Sequence, residues 1–105
     1  MAGRASVSDL VEEFDALTLH EPSDGQTLYQ VSANVNAFWF RNRLPECKAH
    51  DTINAIDSEG EDVFLEQGET PAPDTDKAFF DCYFGHYAKA VARLRNVLLD
   101  RQGSA

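Results

Sequence analysis

The chain has no apolar run near the ~20 residues that a membrane-spanning helix needs. No apolar stretch of the signal-peptide type follows Met1, so the sequence predicts a cytoplasmic protein without a membrane segment. Cys47 and Cys82 are the only cysteines, too few for a disulfide-stabilised scaffold. These absences exclude the membrane and disulfide-rich classes and favour a domain held by a hydrophobic core.

Basic residues are scarce and are missing from two long stretches. From Asp9 to Asp24 the chain has six carboxylates and no Lys or Arg, and from Asp51 to Asp76 it has nine carboxylates and again no base. The net charge is −9, which disfavours direct binding to nucleic acid or anionic lipid because long-range repulsion opposes the approach. Such acidity favours a basic protein surface as partner, or else serves solubility alone.

Length and composition indicate one domain. The 105 residues, 43% apolar and 10% aromatic, suffice for a single core but not for two. We expect this domain to span residues 1–105, with flexible ends at 1–5 and 102–105.

Both ends of the chain carry helical patterns. Ser6 is a predicted N-cap with Asp9 three residues later, and the turn-forming run from Glu21 to Gly25 should end this first helix. The apolar positions of the first helix recur at helical spacing: Val7, Leu10, Val11, Phe14, Leu17 and Thr18. A second helix is predicted from about Thr75 to Arg101, after a loop over Gly68–Asp74 that contains two prolines.

The middle of the chain reads as β-structure. From Thr27 the apolar residues alternate with a period of two, which predicts strands at about 27–32 and 37–43, with a helix over 35–44 as the alternative. Residues 52–56 and 62–66 then form a predicted hairpin around the turn Ser58–Glu61. The expected fold is therefore a two-layer α+β domain, in which two helices cover a small antiparallel sheet of three to four strands.

The last predicted helix carries more aromatic surface than a small sheet can cover, so we expect a homodimer that uses part of it. The predicted oligomer interface consists of Phe79, Tyr83, Phe84 and Tyr87.

Cysteine and histidine occur as two spaced pairs, Cys47-x-x-His50 and Cys82-x-x-x-His86. Four such ligands would suit tetrahedral zinc, but the first pair lacks the glycine-bearing turn that usually wraps the metal. The acidic run around Gly60 also departs from the calcium-binding helix–loop–helix pattern. No nucleophile, phosphate-loop or dinucleotide motif is present, so we predict no catalytic residues and no cofactor.

Aromatic and basic residues are interleaved over 38–43, Phe-Trp-Phe-Arg-Asn-Arg. In a strand this pattern would place Trp39, Arg41 and Arg43 on one face, as in single-strand nucleic-acid binders. Buried aromatics flanked by surface arginines are the simpler interpretation.

The acidic stretch remains the strongest functional signal. The sequence predicts a small acidic non-catalytic binding module, of the inhibitor or nucleic-acid-mimic type, that engages a basic protein surface such as that of a nucleic-acid-binding protein. The predicted contact residues are Asp57, Glu59, Glu61, Asp62, Glu66 and Glu69. The alternatives are an acidic secretion or assembly chaperone that holds an apolar segment, and a small zinc-stabilised domain.

Overall fold

The chain folds as a set of helices. The computed structural model describes residues 6–66 and 73–103, with side chains described over 6–60 and 77–101. Its helices are α1 Val7–Leu17, α2 Gly25–Arg41, α3 Lys48–Glu66 and α4 Pro73–Gly103. Within the described ranges there is no β-strand, so the predicted α+β fold with an antiparallel sheet is wrong and the described part of the chain is all-α.

Helix α1 confirms its predicted start. The Asp9 amide donates to Ser6 Oγ at 3.1 Å and the Ser6 amide donates to Asp9 Oδ2 at 3.4 Å, which is a capping box. Leu10 and Phe14 are buried on its inner side. The cap and the apolar stripe act together, so local sequence suffices to form this helix.

Helix α2 replaces the strands predicted at 27–32 and 37–43. Its buried positions include Leu28, Ser32, Val35 and Trp39, which are spaced by three or four residues as in a helix. Asp24, which the sequence analysis placed in a turn, is the N-cap and accepts from the Thr27 amide at 2.8 Å. The hydrogen bond from the Thr27 amide is the largest of the interactions that hold the pKa of Asp24 below its usual value. The alternative of a helix over 35–44 is correct as far as Arg41.

A left-handed residue closes α2. Arg43 has φ 53°, its amide donates to Phe40 O at 3.0 Å, and the Leu44 amide donates to Trp39 O at 3.1 Å, as in a Schellman cap. Trp39 Nε1 donates to Pro45 O at 2.8 Å. The cap and the indole together fix the turn that returns the chain into α3.

Helix α3 replaces the predicted hairpin. Ala49, Ile53, Ile56 and Gly60 are buried with spacings of four, three and four residues. A Cβ on Gly60 would lie 2.5 Å from Tyr29 Cδ1 and 2.9 Å from Phe79 Cζ. The glycine that suggested a turn is instead a point of close contact, where side chains of α2 and α4 both pack against the backbone of α3.

Helix α4 confirms the predicted C-terminal helix, with wider bounds. Of the loop predicted over Gly68–Asp74, residues 68–72 lie outside the described residues, and Pro73 and Asp74 already belong to α4. Of the predicted flexible ends, 1–5 and 104–105 lie outside the described residues, while 102–103 belong to α4.

One hydrophobic core joins all four helices. Helix α4 contacts each of the other three, and α2 packs against both α1 and α3. The largest fully buried side chains are Trp39, Phe14 and Phe38, so the core is built around the C-terminal half of α2. The molecule measures 47 × 26 × 22 Å, with the long axis close to the length expected for α4.

Candidate functional site

The second acidic run lies largely on one helix rather than on a hairpin. Six of its carboxylates belong to α3: Asp51, Asp57, Glu59, Glu61, Asp62 and Glu66. At 1.5 Å per residue they span about 22 Å, with about 4.5 Å between successive acids on average, against the ~3.4 Å spacing of charges along one strand of DNA. Glu69 lies outside the described residues, and for Glu61, Asp62 and Glu66 only the helical backbone is described.

The two sides of α3 differ in character. Ile53 and Ile56 are fully buried on the inner side. Asp51, Ala55 and Glu59 are exposed on successive turns, and we call these three residues the outer side of α3. Positions 62 and 66 follow position 59 at helical spacings of three and seven residues. The outer side therefore presents the carboxylates of Asp51 and Glu59, about two turns apart, on a helix that is anchored by its opposite side.

Asp57, a predicted contact residue, has a different setting. It is half-buried, and Asn36 Nδ2 donates to its Oδ2 at 3.3 Å and to Asn54 Oδ1 at 3.1 Å. Asn36 Oδ1 lies 2.9 Å from His50 Nε2. These four residues, Asn36, His50, Asn54 and Asp57, form a polar cluster that joins α2 to α3. Asp57 thus contributes to helix packing rather than to the outer side.

His50 is the buried member of the polar cluster, with 2% of its surface exposed. Its ring stacks on Trp39 at 5.9 Å between centroids and meets Phe40 edge-on at 5.0 Å. Asn36 Nδ2 donates to Asn54 and Asp57, so the atom that faces His50 Nε2 is the amide oxygen, which can only accept. We therefore assign the ring proton to Nε2. This assignment leaves Nδ1 buried without a partner among the described residues. Burial lowers the pKa of His50, against the opposing charges of Asp51 and Glu46. His50 is therefore neutral at pH 7.

Ion pairing distinguishes the acids of α1 from those of α3. Glu13 pairs with Arg41 of α2, and Asp15 accepts from Arg95 of α4 at 2.9 and 3.1 Å. This pairing raises the pKa of Arg95. Among the described side chains, none of the α3 acids takes part in an ion pair. The described acids of α3 are thus unpaired, and Lys48 is the only Lys or Arg on this helix.

The four candidate zinc ligands are in different environments. Cys47 is half-buried, His50 is buried, and Cys82 and His86 are exposed on α4. Over the described side chains, no three His, Cys, Asp or Glu residues come close enough together to hold a metal ion. The polar cluster already engages His50 Nε2. This geometry gives no support to the zinc-stabilised alternative.

The aromatic and basic segment over 38–43 does not form a stacking platform. Phe38 and Trp39 are fully buried, whereas Phe40 is 57% exposed. Arg41 pairs with Glu13 and lies 5.9 Å from the centroid of the Phe38 ring. In a strand, Trp39, Arg41 and Arg43 would lie on one face, whereas in a helix residues two positions apart point in different directions.

The predicted oligomer interface on α4 is divided between core and surface. Phe79 and Tyr87 are each only 4% exposed and belong to the core of this chain. Burial, together with the charge of Glu21, raises the pKa of Tyr87 to about 12. Tyr83 and Phe84 are half-buried, so part of each ring remains accessible.

A small cleft lies beside Phe84, between α4 and the connection from α1 to α2. Its volume is about 140 Å³. It is lined by Thr18, Glu21, Phe84, Tyr87, Ala88 and Val91. The cleft is mostly apolar, with one carboxylate at its edge.

Comparisons with family models, curated proteins and solved structures give no significant match for this chain. Across the described residues, no helix combines the length and apolar character needed to cross a bilayer. Without a matching protein, a function can be inferred only from the geometry of this chain.

Sequence reasoning missed the polar cluster and Asp51 as a member of the outer side. A signal was present: His50, Asn54 and Asp57 are spaced by four and three residues, which places them on one side of a helix. Asp51 and Glu59 likewise lie two helical steps of four apart. Both patterns appear only when residues 48–66 are interpreted as a helix.

Proposed function

We propose that this protein is a non-catalytic cytoplasmic binding module that presents the outer side of α3 to a basic surface of another protein. The observation that carries the proposal is the charge imbalance of α3. Asp51 and Glu59 are exposed and unpaired among the described side chains, on a helix whose inner side is part of the core. The acids of α1, in contrast, are partly neutralised by arginines.

A helix holds charges in place better than a loop does. Its carboxylates keep a fixed spacing, so a partner does not have to order them on binding. An uncompensated negative field also steers a basic partner and raises the association rate. The acids at positions 51, 59, 62 and 66 are on average about 7.5 Å apart along the axis, wider than the ~3.4 Å of a nucleic-acid strand, so the unpaired negative charge of Asp51 and Glu59, rather than its spacing, supports a partner whose basic surface ordinarily binds nucleic acid.

The setting of His50 supports a binding rather than a catalytic role. Its ring is enclosed by Trp39, Phe40 and Asn36, and its Nε2 is used in helix packing. A general base must reach the proton that it removes, and a ring with 2% exposure does not reach a substrate.

The test compares two pairs of substitutions that each remove two negative charges. Asp51→Asn with Glu59→Gln neutralises the outer side of α3, and Glu12→Gln with Glu21→Gln neutralises exposed acids elsewhere. A partner isolated from the native host with the wild-type chain should associate about tenfold more slowly with the α3 variant, and much less so with the control, because local charge determines steering. Surface plasmon resonance measures both rates.

Two further results are expected from the same partner. Raising the salt concentration should weaken the wild-type complex, since exposed charges are screened beyond about 10 Å at 0.1 M ionic strength. The partner's nucleic acid should compete with this protein for one site. If the affinity of the complex changes neither with salt concentration nor with the two α3 substitutions, the acids serve solubility only.

A further inference from the structure

An accessible apolar strip runs along α4 beside the cleft. Phe80 and Phe84 stack at 5.0 Å between centroids, and both are half-buried. Leu19, which lies between two cleft residues in the chain, is 71% exposed. Large side chains left accessible together mark an interaction surface more often than a single exposed one does.

The side of α4 that carries Phe84 of this strip also has the residue spacing of a helix-pairing seam. Asp81, Phe84, Ala88, Val91 and Arg95 follow one another at intervals of three, four, three and four residues, the pattern by which two helices pack along each other. We call these five residues the α4 seam. All five are exposed or half-buried, whereas Tyr87, Ala90 and Leu94 face the core. Helix α4 thus has one seam in the core and a second, partly accessible one beside the cleft, where Phe84, Ala88 and Val91 line the cleft wall.

The α4 seam is complementary to itself when reversed. If two copies pair antiparallel about a two-fold axis at Ala88, Phe84 faces Ala92 of the second copy and Val91 faces Gly85 of the second copy. A large side chain of the seam then meets a small, exposed residue next to the seam in these two contacts, and Ala88 meets Ala88 at the axis. Gly85 has room for this, because a Cβ placed on it would meet nothing within 4 Å.

Charge follows the same symmetry. Asp81 faces Arg95 of the second copy, and the two-fold axis repeats that contact at the other end of the seam. Asp81 already pairs with Lys77, and Arg95 with Asp15, but all four side chains are between 44% and 75% exposed. The existing pairs can therefore join into a network across the interface. A parallel arrangement in register would place Asp81 against Asp81 and Arg95 against Arg95.

We propose that two copies of this chain form an antiparallel dimer through the α4 seam. This surface differs from the interface predicted from sequence, with which it shares only Phe84. The seam is about 21 Å long, which is short for the ~800 Å² per partner of a standard interface, so the dimer should be concentration-dependent. Each copy carries a charge of −9, and screening of this repulsion should make the dimer stronger as salt rises.

The first test is a matched pair of Ala→Arg variants. Ala88→Arg puts two large cations face to face at the axis, whereas Ala55→Arg makes the same change on the outer side of α3; both alanines are exposed. Light scattering should show a wild-type dimer at high micromolar concentration, a monomeric A88R chain and an A55R chain that still dimerises. Circular dichroism checks that both variants fold. A monomeric wild type, or an A88R dimer, overturns the proposal; the former result would point to an apolar segment of another protein as occupant.

The second test cross-links the dimer instead of breaking it. In a Cys82→Ser background, Ala88→Cys places two thiols across the axis, where a disulfide can form. Lys89→Cys, exposed but turned about 100° around the helix, is the control. Mild oxidation should cross-link A88C at least tenfold faster than K89C. Equal rates would overturn the proposed register, and neither result depends on the proposed α3 partner, whose binding salt should weaken rather than strengthen.

Discussion

The first acidic run contains helix α1, and α3 carries most of the acids of the second. Neither run contains Lys or Arg, although α3 itself begins at Lys48, and the structure gives the two helices different roles. Glu13 and Asp15 of α1 reach arginines on α2 and α4, so these acids contribute to holding the helices together. The outer side of α3 has no such neighbour among the described side chains. A run of acids therefore becomes a packing element or an open surface according to what lies opposite.

Position in the fold explains the difference. Helix α1 crosses two helices whose arginines come from distant parts of the sequence. Helix α3 packs with its inner side on α2 and α4, and Asp51 and Glu59 lie on the other side. Within the described residues α1 and α3 do not contact each other, so the two acidic helices do not share one field at short range.

The largest expected effect tests how firmly the inner side of α3 anchors the outer side. Gly60→Ala should lower the free energy of unfolding by about 2 kcal/mol, because the added methyl group would overlap Tyr29 and Phe79 in a packed core. Gly85→Ala should raise it by ~1 kcal/mol, since that position is open and Ala favours the helix. Urea unfolding at low protein concentration measures both. Changes of the same sign in both variants would contradict the close helix contact at Gly60.

A smaller effect should follow from the polar cluster beneath the acids. Because the pKa of His50 is lowered in the folded state, the unfolded chain takes up the proton first as the pH falls. The contribution of His50 is complete above its unfolded pKa of about 6.5 and is lost as the pH drops below that value. Wild-type stability should therefore decline from pH 7.5 toward pH 5.5, more steeply than that of His50→Gln.

His86→Gln is the control for this pH dependence, because His86 is exposed on α4. Its unfolding free energy should follow the wild-type slope across the same pH range. If His50→Gln keeps the wild-type slope as well, the buried ring is not the source of the pH dependence.

The smallest effect compares a paired acid with an open one directly. Glu13→Gln removes the ion pair with Arg41 and should cost ~0.5 kcal/mol, the usual size for an exposed pair. Glu59→Gln should leave stability unchanged or raise it slightly, because it relieves repulsion. Thermal unfolding in low salt resolves the difference, and high salt should shrink it. Equal losses in the two variants would mean that α3 has a base partner after all.

Local sequence predicted the two terminal elements well for an identifiable reason. Ser6 and Asp9 cap α1, and the long apolar arc of α4 has a periodicity that no strand reproduces. In α2, apolar residues at every second position resembled the pattern of a strand, and in α3 Gly60 resembled a turn residue. The sequence alone could not decide these cases, because Asp24 resembles a turn residue until its hydrogen bond to Thr27 is seen.

The candidate site was predicted in part. The acidic stretch was identified from its charge, but Asp57 proved to be a member of the polar cluster and Asp51 took its place on the outer side. Which acids belong to the outer side and which to the polar cluster depends on their positions around the helix. A hairpin interpretation assigns these residues to different faces. The predicted oligomer interface failed to separate Phe79 and Tyr87, which face the core, from Phe84, which does not.

What the sequence by itself determined is the amount and segregation of charge and the two helices whose caps and stripes are local. Only the tertiary structure decided which carboxylates meet arginines, that Gly60 is a contact rather than a turn, and that α4 has a second seam facing outward. Periodicity and capping depend on residues a few positions apart, whereas ion pairing and burial depend on helices brought together from distant parts of the chain.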